Sequence, residues 1–365
     1  MLKTVLIVFF KTFVFILLIL ILLVAIMAAG GYWLYEYRFK ASLPLTAEYH
    51  YEIPPNTRLY QVAQDLVAHE WVSYPVAMSW VLWARVQGQA HQIKAGEYAL
   101  PVGINLLTLL ELFVEGKSIQ YALTLVEGWN FRQVMAVVHE HPHLTHTLKG
   151  LDNEAIMAKL GWPNQHPEGQ FFPDTYLFPD KTTDVDFLQR AYKLMQRELT
   201  AAWQQRQSNL PFETAYEALI LASIVEKETA VVSERPMIAG VFIQRLKKGM
   251  PLQTDPTVIY ALGEHFDGNI RKADLKVDSP YNTYVYKGLP PTPIAMPGRQ
   301  ALQAAVQPAQ GEALYFVAKN DGSHYFSESY SEHRCAVIEY QLKDKATQRY
   351  QQYCQRYPHC SACRS

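Results

Sequence analysis

Residues 219–263 read LILASIVEKETAVVSERPMIAGVFIQRLKKGMPLQTDPTVIYALG. The first seven positions are apolar except for Ser223, and Glu226 and Glu228 follow immediately, on either side of Lys227. The run predicts a buried helix, because it is apolar on almost every side and is long enough for several turns. Ser233 and Glu234 introduce a second helix over 235–248, with Gly249 placed to end it. A polar step, Gln253-Thr254-Asp255, comes next. A carboxyl group held in apolar surroundings resists ionising, so each of the two glutamates is a candidate proton donor near neutral pH.

Helical spacing separates the pair. Leu219, Ala222, Ser223 and Glu226 share one stripe, and Leu221, Ile224, Val225 and Glu228 share another. Residues two apart on a helix point in roughly opposite directions. Glu226 and Glu228 therefore do not face each other across a cleft. One is expected in a site and the other as an anchor, and spacing alone does not say which. A salt bridge from either to Lys227, Arg235 or Arg245 is the plain alternative.

Working outward, the N-terminus carries its own signal. Thr12 to Leu34 is uncharged and apolar, longer than the about 20 residues that a membrane-spanning helix needs. Lys3 and Lys11 precede it, Glu36, Arg38 and Lys40 follow, and Tyr32, Trp33 and Tyr35 stand where an interfacial aromatic belt would lie. A cleaved signal peptide is the competing reading, kept open by Ala28-Ala29-Gly30, but the apolar core is longer than a signal region requires. The expectation is a single-pass anchor over residues 1–40. The short basic end would stay in the cytoplasm, and everything beyond about Glu36 would lie outside it.

The rest of the 365 residues suffices for two or three folded units. Over 41–125 the pattern is strand (49–53), helix (59–69), helix (76–86), strand (94–100) and a further helix (106–114), a small α+β unit. Over 126–345 a larger α+β unit is expected. It has a strand near 120–126, a helix from Phe131 capped by Asn130, and a long amphipathic helix over 182–205. The stretch EGQFFPDTYLFP (168–179) sets Glu168, Asp174 and Tyr176 among further aromatics and prolines. The tail, 346–365, holds Cys354, Cys360 and Cys363, with Cys335 just before it; disulfides are expected over a zinc site, since paired CxxC spacing is lacking.

Net charge is −1, so no attraction to nucleic acid is implied. No phosphate-binding loop, dinucleotide-binding glycine pattern or HExxH motif occurs, and neither cofactor nor catalytic metal is expected.

Several motifs agree in order. SIVEKETAVVSERPMIAGVFIQRLKKGMPLQTDPTVIYALG, SPYNTYVYKGLPPTPIAMPG and EGQFFPDTYLFP together resemble the MltG/YceG-like endolytic murein transglycosylases, from about Tyr49 to Tyr340. IPPNTRLYQVAQDL and KAGEYALPVG resemble a LysM-like module, a fold that often binds N-acetylglucosamine-containing glycans. The Cys-rich C-terminal extension departs from the family pattern.

The resemblance implies breakage of the β-1,4 bond after N-acetylmuramic acid in peptidoglycan without water, leaving a 1,6-anhydro end. One glutamate serves as acid and then base, and the motif carries that role to Glu226. Gln253, Thr254 and Asp255 are expected to bond the glycan or orient Glu226, although Asp255-Pro256 is also a plain helix start. Asn282 and Tyr284 are expected to contact acetamido groups. Glu168, Asp174 and Tyr176 would form a wall of the cleft. An inner-membrane enzyme with a periplasmic body, acting beside cell-wall synthases, is the implied setting. Two readings compete: a hydrolytic muramidase pairing its acid with Asp255, Asp174 or Glu168, and a non-catalytic glycan-binding scaffold tethered to the membrane.

Overall fold

The computed structural model describes residues 2–342 and 347–363, with the backbone alone for residues 2–8. The Lys3 side chain, used above for orientation, and residues 346, 364 and 365 of the tail lie outside the described set. The chain divides into two compact units: one of residues 1–121 with 178–180, the other of 122–177 with 181–365.

In the first unit, α1 (Leu2–Leu34) continues through a wider helical turn, Tyr35–Phe39. Its apolar stretch is long enough to cross a bilayer and buries nothing within the protein. β1 (Tyr49–Ile53), α2 (Leu59–Ala68), α3 (Tyr74–Val86), β2 (Gly96–Leu100) and α4 (Leu106–Glu115) follow. β1 and β2 pair antiparallel, Tyr49 opposite Leu100 and Ile53 opposite Gly96. Alternation along β1 turns Tyr51 and Ile53 inward onto Trp80, Leu66 and Phe113. Trp80 is enclosed, and its Nε1–H donates to the Leu106 carbonyl (2.9 Å), which satisfies its one polar atom.

After β3 (Tyr121–Thr124), the second unit contains α5 (Phe131–Glu140), β4 (Leu144–Thr145), α6 (Asn153–Leu160), β5 (Thr175–Phe178), β6 (Thr182–Thr183) and α7 (Asp184–Gln204). The long amphipathic helix starts two residues later than its pattern suggested. Thr182 and Thr183 pair with β4 instead, and the Thr183 hydroxyl accepts the Asp186 N–H as an N-cap (3.0 Å).

At the centre lies α8 (Ala215–Glu228), followed by α9 (Arg235–Lys247), α10 (Asp255–Leu262) and α11 (Arg299–Val306). Thr214 and Glu217 form a reciprocal capping box at the start of α8, worth about 1 kcal/mol. Ala218 to Val225 are all buried, within a cluster that includes Ile238, Phe242, Leu302 and Ala305. Each fully buried leucine or isoleucine there contributes about 1.5–3 kcal/mol. α8 is therefore fixed on all sides, and its C-terminal end is a rigid platform.

A hairpin of β7 (Tyr315–Ala318) and β8 (His324–Ser327) packs under α12 (Tyr330–Gln341), and α13 (Gln348–Arg356) and a short 3-10 turn, Ser361–Cys363, follow. Disulfides join Cys335 to Cys360 and Cys354 to Cys363. His359 lies beside Cys335 and Cys360, but both sulfurs are engaged in the disulfide. Mixed helix and strand is the class expected.

Candidate active site

The two glutamates that end α8 have opposite surroundings. Glu226 is held at both of its oxygens. Its Oε1 takes a hydrogen bond from the Arg235 guanidinium (2.7 Å), and its Oε2 accepts the Gly298 N–H (2.9 Å). Both side chains are about 5% exposed or less. A Cβ at Gly298 would meet the Glu127 side chain, so a larger residue there requires that partly exposed carboxylate to swing aside. Burial pushes the Glu226 carboxyl up, while the Gly298 N–H and the Arg235 charge pull it down. This is a paired anchor joining α8 to α9 and to the start of α11.

Glu228 instead faces an open cavity of about 380 Å³, lined also by Arg245, Gln253, Asp255, Tyr284, Tyr315 and His324. Burial pushes its carboxyl up to about 7. A hydrogen bond from the Thr254 hydroxyl to Oε1 and the positive charge of Arg245 work in the other direction, while Asp255 adds to the rise. A carboxylic acid that is half protonated near neutrality and open to a cavity is equipped to give and take a proton.

The sequence builds this cavity with some local strain. Gln253 sits at φ +51°, a left-handed conformation that a side chain with a Cβ rarely adopts. Thr283 holds the bend twice: Gln253 N–H donates to its carbonyl (3.1 Å), and Thr254 N–H donates to its Oγ1 (3.1 Å). It turns the Thr254 hydroxyl onto Glu228 and starts α10 at Asp255-Pro256. Tyr284 Oη then donates to Asp255 Oδ1 (2.6 Å).

In the same lining, Arg245 is fixed by bonds from Nε to the Leu314 carbonyl (2.7 Å) and from Nη1 to the Leu252 carbonyl (2.6 Å), with its guanidinium over the Tyr315 ring. His324 is held by Glu234 through its backbone N–H (2.8 Å) and its Nδ1 (2.7 Å).

A second, larger cavity of about 590 Å³ is lined by Asn130, Arg132, Glu168, Lys227, Pro256 and Tyr260 among others. Asp255 lines the first cavity and Pro256 and Tyr260 the second, so α10 borders both. Glu168 is buried, and burial pushes it too up to about 7. Its oxygens are occupied: Phe131 N–H donates to Oε1 and Tyr260 Oη to Oε2, each at 3.0 Å. Glu226 lines neither cavity.

Of the residues expected around the acid, Gln253, Asp255 and Tyr284 line the Glu228 cavity, and Thr254 bonds the carboxyl itself. The others lie elsewhere. Asn282 is enclosed, its Nδ2 donating to the Val277 carbonyl (2.8 Å) and its Oδ1 accepting the Tyr284 N–H (3.0 Å), so its amide shapes the loop from within. Tyr176 is buried and donates to the Phe172 carbonyl (2.7 Å). Asp174 is exposed and accepts the Thr175 N–H (2.7 Å), and it lines neither cavity.

Arg245, Tyr315, His324, Tyr330 and His333 line the Glu228 cavity without having been singled out for it. Arg245 had a visible signal, a lone cation in the apolar face of VFIQRL. The others reach the cavity through the β7–β8 hairpin and α12, far along the chain from α8.

The arrangement can be set beside known proteins. A model of the YceG-like family matches residues 51–339. The chain belongs to the YceG-like family. This YceG-like chain is 31% identical over 305 residues to a Bacillus subtilis protein named endolytic murein transglycosylase, covering 79% of this chain and 83% of that one. A Streptococcus pneumoniae protein of the same name is 27% identical over 355 residues, with 87% of this chain and 63% of that one covered. A crystal structure of a YceG-like protein from Listeria monocytogenes is 30% identical, covers 79% of this chain and 98% of that one, and has a TM-score of 0.49.

Proposed function

We propose that this YceG-like protein is a membrane-anchored endolytic murein transglycosylase whose single acid–base group is Glu228, rather than the Glu226 to which the motif comparison first assigned it. One observation carries the choice. Glu228 opens on a cavity with Gln253, Asp255 and Tyr284, and burial holds it near pKa 7, whereas Glu226 is ion-paired to Arg235 away from that cavity.

In the proposed reaction the β-1,4 bond between N-acetylmuramic acid and N-acetylglucosamine lies against the Glu228 carboxyl. The protonated carboxyl gives its proton to the departing O4 of N-acetylglucosamine as the C1–O4 bond breaks. The O6 hydroxyl of the same N-acetylmuramic acid attacks C1, and the Glu228 carboxylate takes its proton. A 1,6-anhydro end results and the acid is regenerated, with no water consumed. One carboxyl suffices because acid and base act in succession. Arg245 holds positive charge beside the group while it is ionised.

In this reading α1 is a single-pass anchor with the catalytic body outside the cytoplasm, residues 41–125 are a LysM-like glycan-binding unit, and cell-wall synthases are the neighbours. An exit directly from the bilayer suits newly made strands. In-cell crosslinking of the full chain tests the last point; failure to recover any synthase would remove it.

Asp255, in the same cavity as Glu228, supports one competing reading, a two-carboxylate hydrolase. Mass analysis of products separates the two. The full chain acting on uncrosslinked glycan strands is expected to leave anhydro ends; ends heavier by one water as the sole product would reject the lytic mechanism.

A further inference from the structure

The first unit carries an apolar surface where its chain leaves the anchor. On α3, Tyr74 (56% exposed), Leu82 (63%) and Val86 (77%) are turned outward. Exposed Pro75 lies on the same helix face as Leu82 and Val86, with half-buried Ser79 between them, while Met78 packs partly onto the unit's own core. α3 contains no acidic residue, and its only charge is Arg85, at the edge of the stripe.

What lies beside this face follows from its attachment to α1. The Trp83 ring, next to the stripe, meets the Tyr35 ring at 6.5 Å and the Phe39 ring at 6.1 Å. Tyr35 is the first residue beyond the apolar run of α1. The connection has no slack. Phe39 and Leu43 are buried in the first unit's core, Leu43 N–H donates to the Ile104 carbonyl (2.7 Å), and Ser42 bridges to Asn105. At the same level Arg38 stacks on Trp33 (5.3 Å) and Lys40 on Tyr35 (4.9 Å), the aromatic–cation pairing that suits a headgroup layer. The C-terminal end of α3 is thus held at the height where α1 passes from hydrocarbon to water. An acid-free helix with an apolar face and a basic edge is the kind of element that beds into an anionic lipid surface.

We infer that α3 is a second membrane contact: its Pro75–Leu82–Val86 face lies in the headgroup layer and fixes the first unit against the bilayer. The inference rests on the anchor reading of α1. It makes the lipid surface the partner of this face and restricts the unit's tilt, so that the first unit samples strands close to the membrane.

Quenching by lipid tests it. The full chain, reconstituted in nanodiscs of phosphatidylcholine and phosphatidylglycerol, would carry a genetically encoded environment-sensitive fluorophore at position 20, 64 or 86. Lipids brominated near the headgroup supply the quencher for positions 64 and 86, lipids brominated at mid-chain supply it for position 20, and circular dichroism checks the fold of each labelled chain. Position 64, on exposed Gln64 of α2, is the water-facing reference. The label replacing Val86 is expected to be quenched at least threefold more than the one replacing Gln64, and Leu82→Glu to remove most of that difference. Equal quenching at 86 and 64, with position 20 strongly quenched, would overturn the α3 contact and leave the anchor standing. Absence of quenching at position 20 would reject the anchor and this inference with it.

Discussion

Glu226 and Glu228 are two residues apart on one buried helix, yet they differ in almost every respect that bears on chemistry. Glu226 is enclosed and answered by an equally buried arginine and a backbone N–H, so its charge is an internal tie. Glu228 is also largely buried, but among the described residues the hydrogen bond to its carboxyl comes from the neutral Thr254 hydroxyl, and it borders open space. Burial raises both carboxyls. The kind of partner, not burial, separates an anchor from a candidate acid.

That contrast is open to attack from both sides. The largest effect is expected on folding, on the Glu226 side. Arg235→Met leaves a buried carboxylate without its counter-charge and is expected to cost about 3–5 kcal/mol in urea unfolding. A loss under 1 kcal/mol would mean that the pair is not the tie described. On the Glu228 side, Thr254→Val removes the donor that favours the ionised carboxyl. The high-pH fall in turnover, expected near 7 in the unaltered enzyme, should move upward, and peak turnover should drop about tenfold, the worth of one hydrogen bond to a charged group. An unmoved limb would detach Glu228 from the titration.

The smallest effect is expected at Glu168, whose carboxyl matches Glu228 in pKa but has both oxygens engaged. Glu168→Gln should change turnover by less than about threefold, because both oxygens are already engaged. Its signature is in stability instead. With a folded pKa of about 7 against an ordinary 4.5, protonated Glu168 favours the fold fully below pH 4.5, and that contribution fades as pH rises through 7. The Gln variant should therefore show a flatter Tm over that window, and an unchanged slope would count against the raised pKa.

Much of this organisation was readable in the chain. The apolar run of α1, the strand–helix–helix–strand order of the first unit and the buried helix α8 each follow from periodicity and caps near at hand. Helical spacing also showed that the two glutamates diverge. It did not show which of them faces a cavity, because α8 is apolar all round and the answer depends on Arg235, Gly298 and Thr254, each brought in by a different segment. Asn282 and Tyr176 illustrate the same limit. Their residue types suit a sugar site, but the fold spends their polar atoms on the Val277 and Phe172 carbonyls. His324 and Tyr315 reach the cavity only through hairpin pairing, which no local pattern near α8 announces.

The comparison between the two glutamates is tested most directly by turnover of Glu228→Gln and Glu226→Gln in the full chain, measured as anhydro ends released from one batch of glycan strands, with folding checked for each. Loss of an obligatory acid–base group is expected to lower release by about a thousandfold or more in Glu228→Gln. Folded Glu226→Gln should stay within about tenfold of the unaltered enzyme, as befits a group that positions rather than reacts. Release unchanged in Glu228→Gln and abolished in folded Glu226→Gln would contradict the account and return the acid to Glu226.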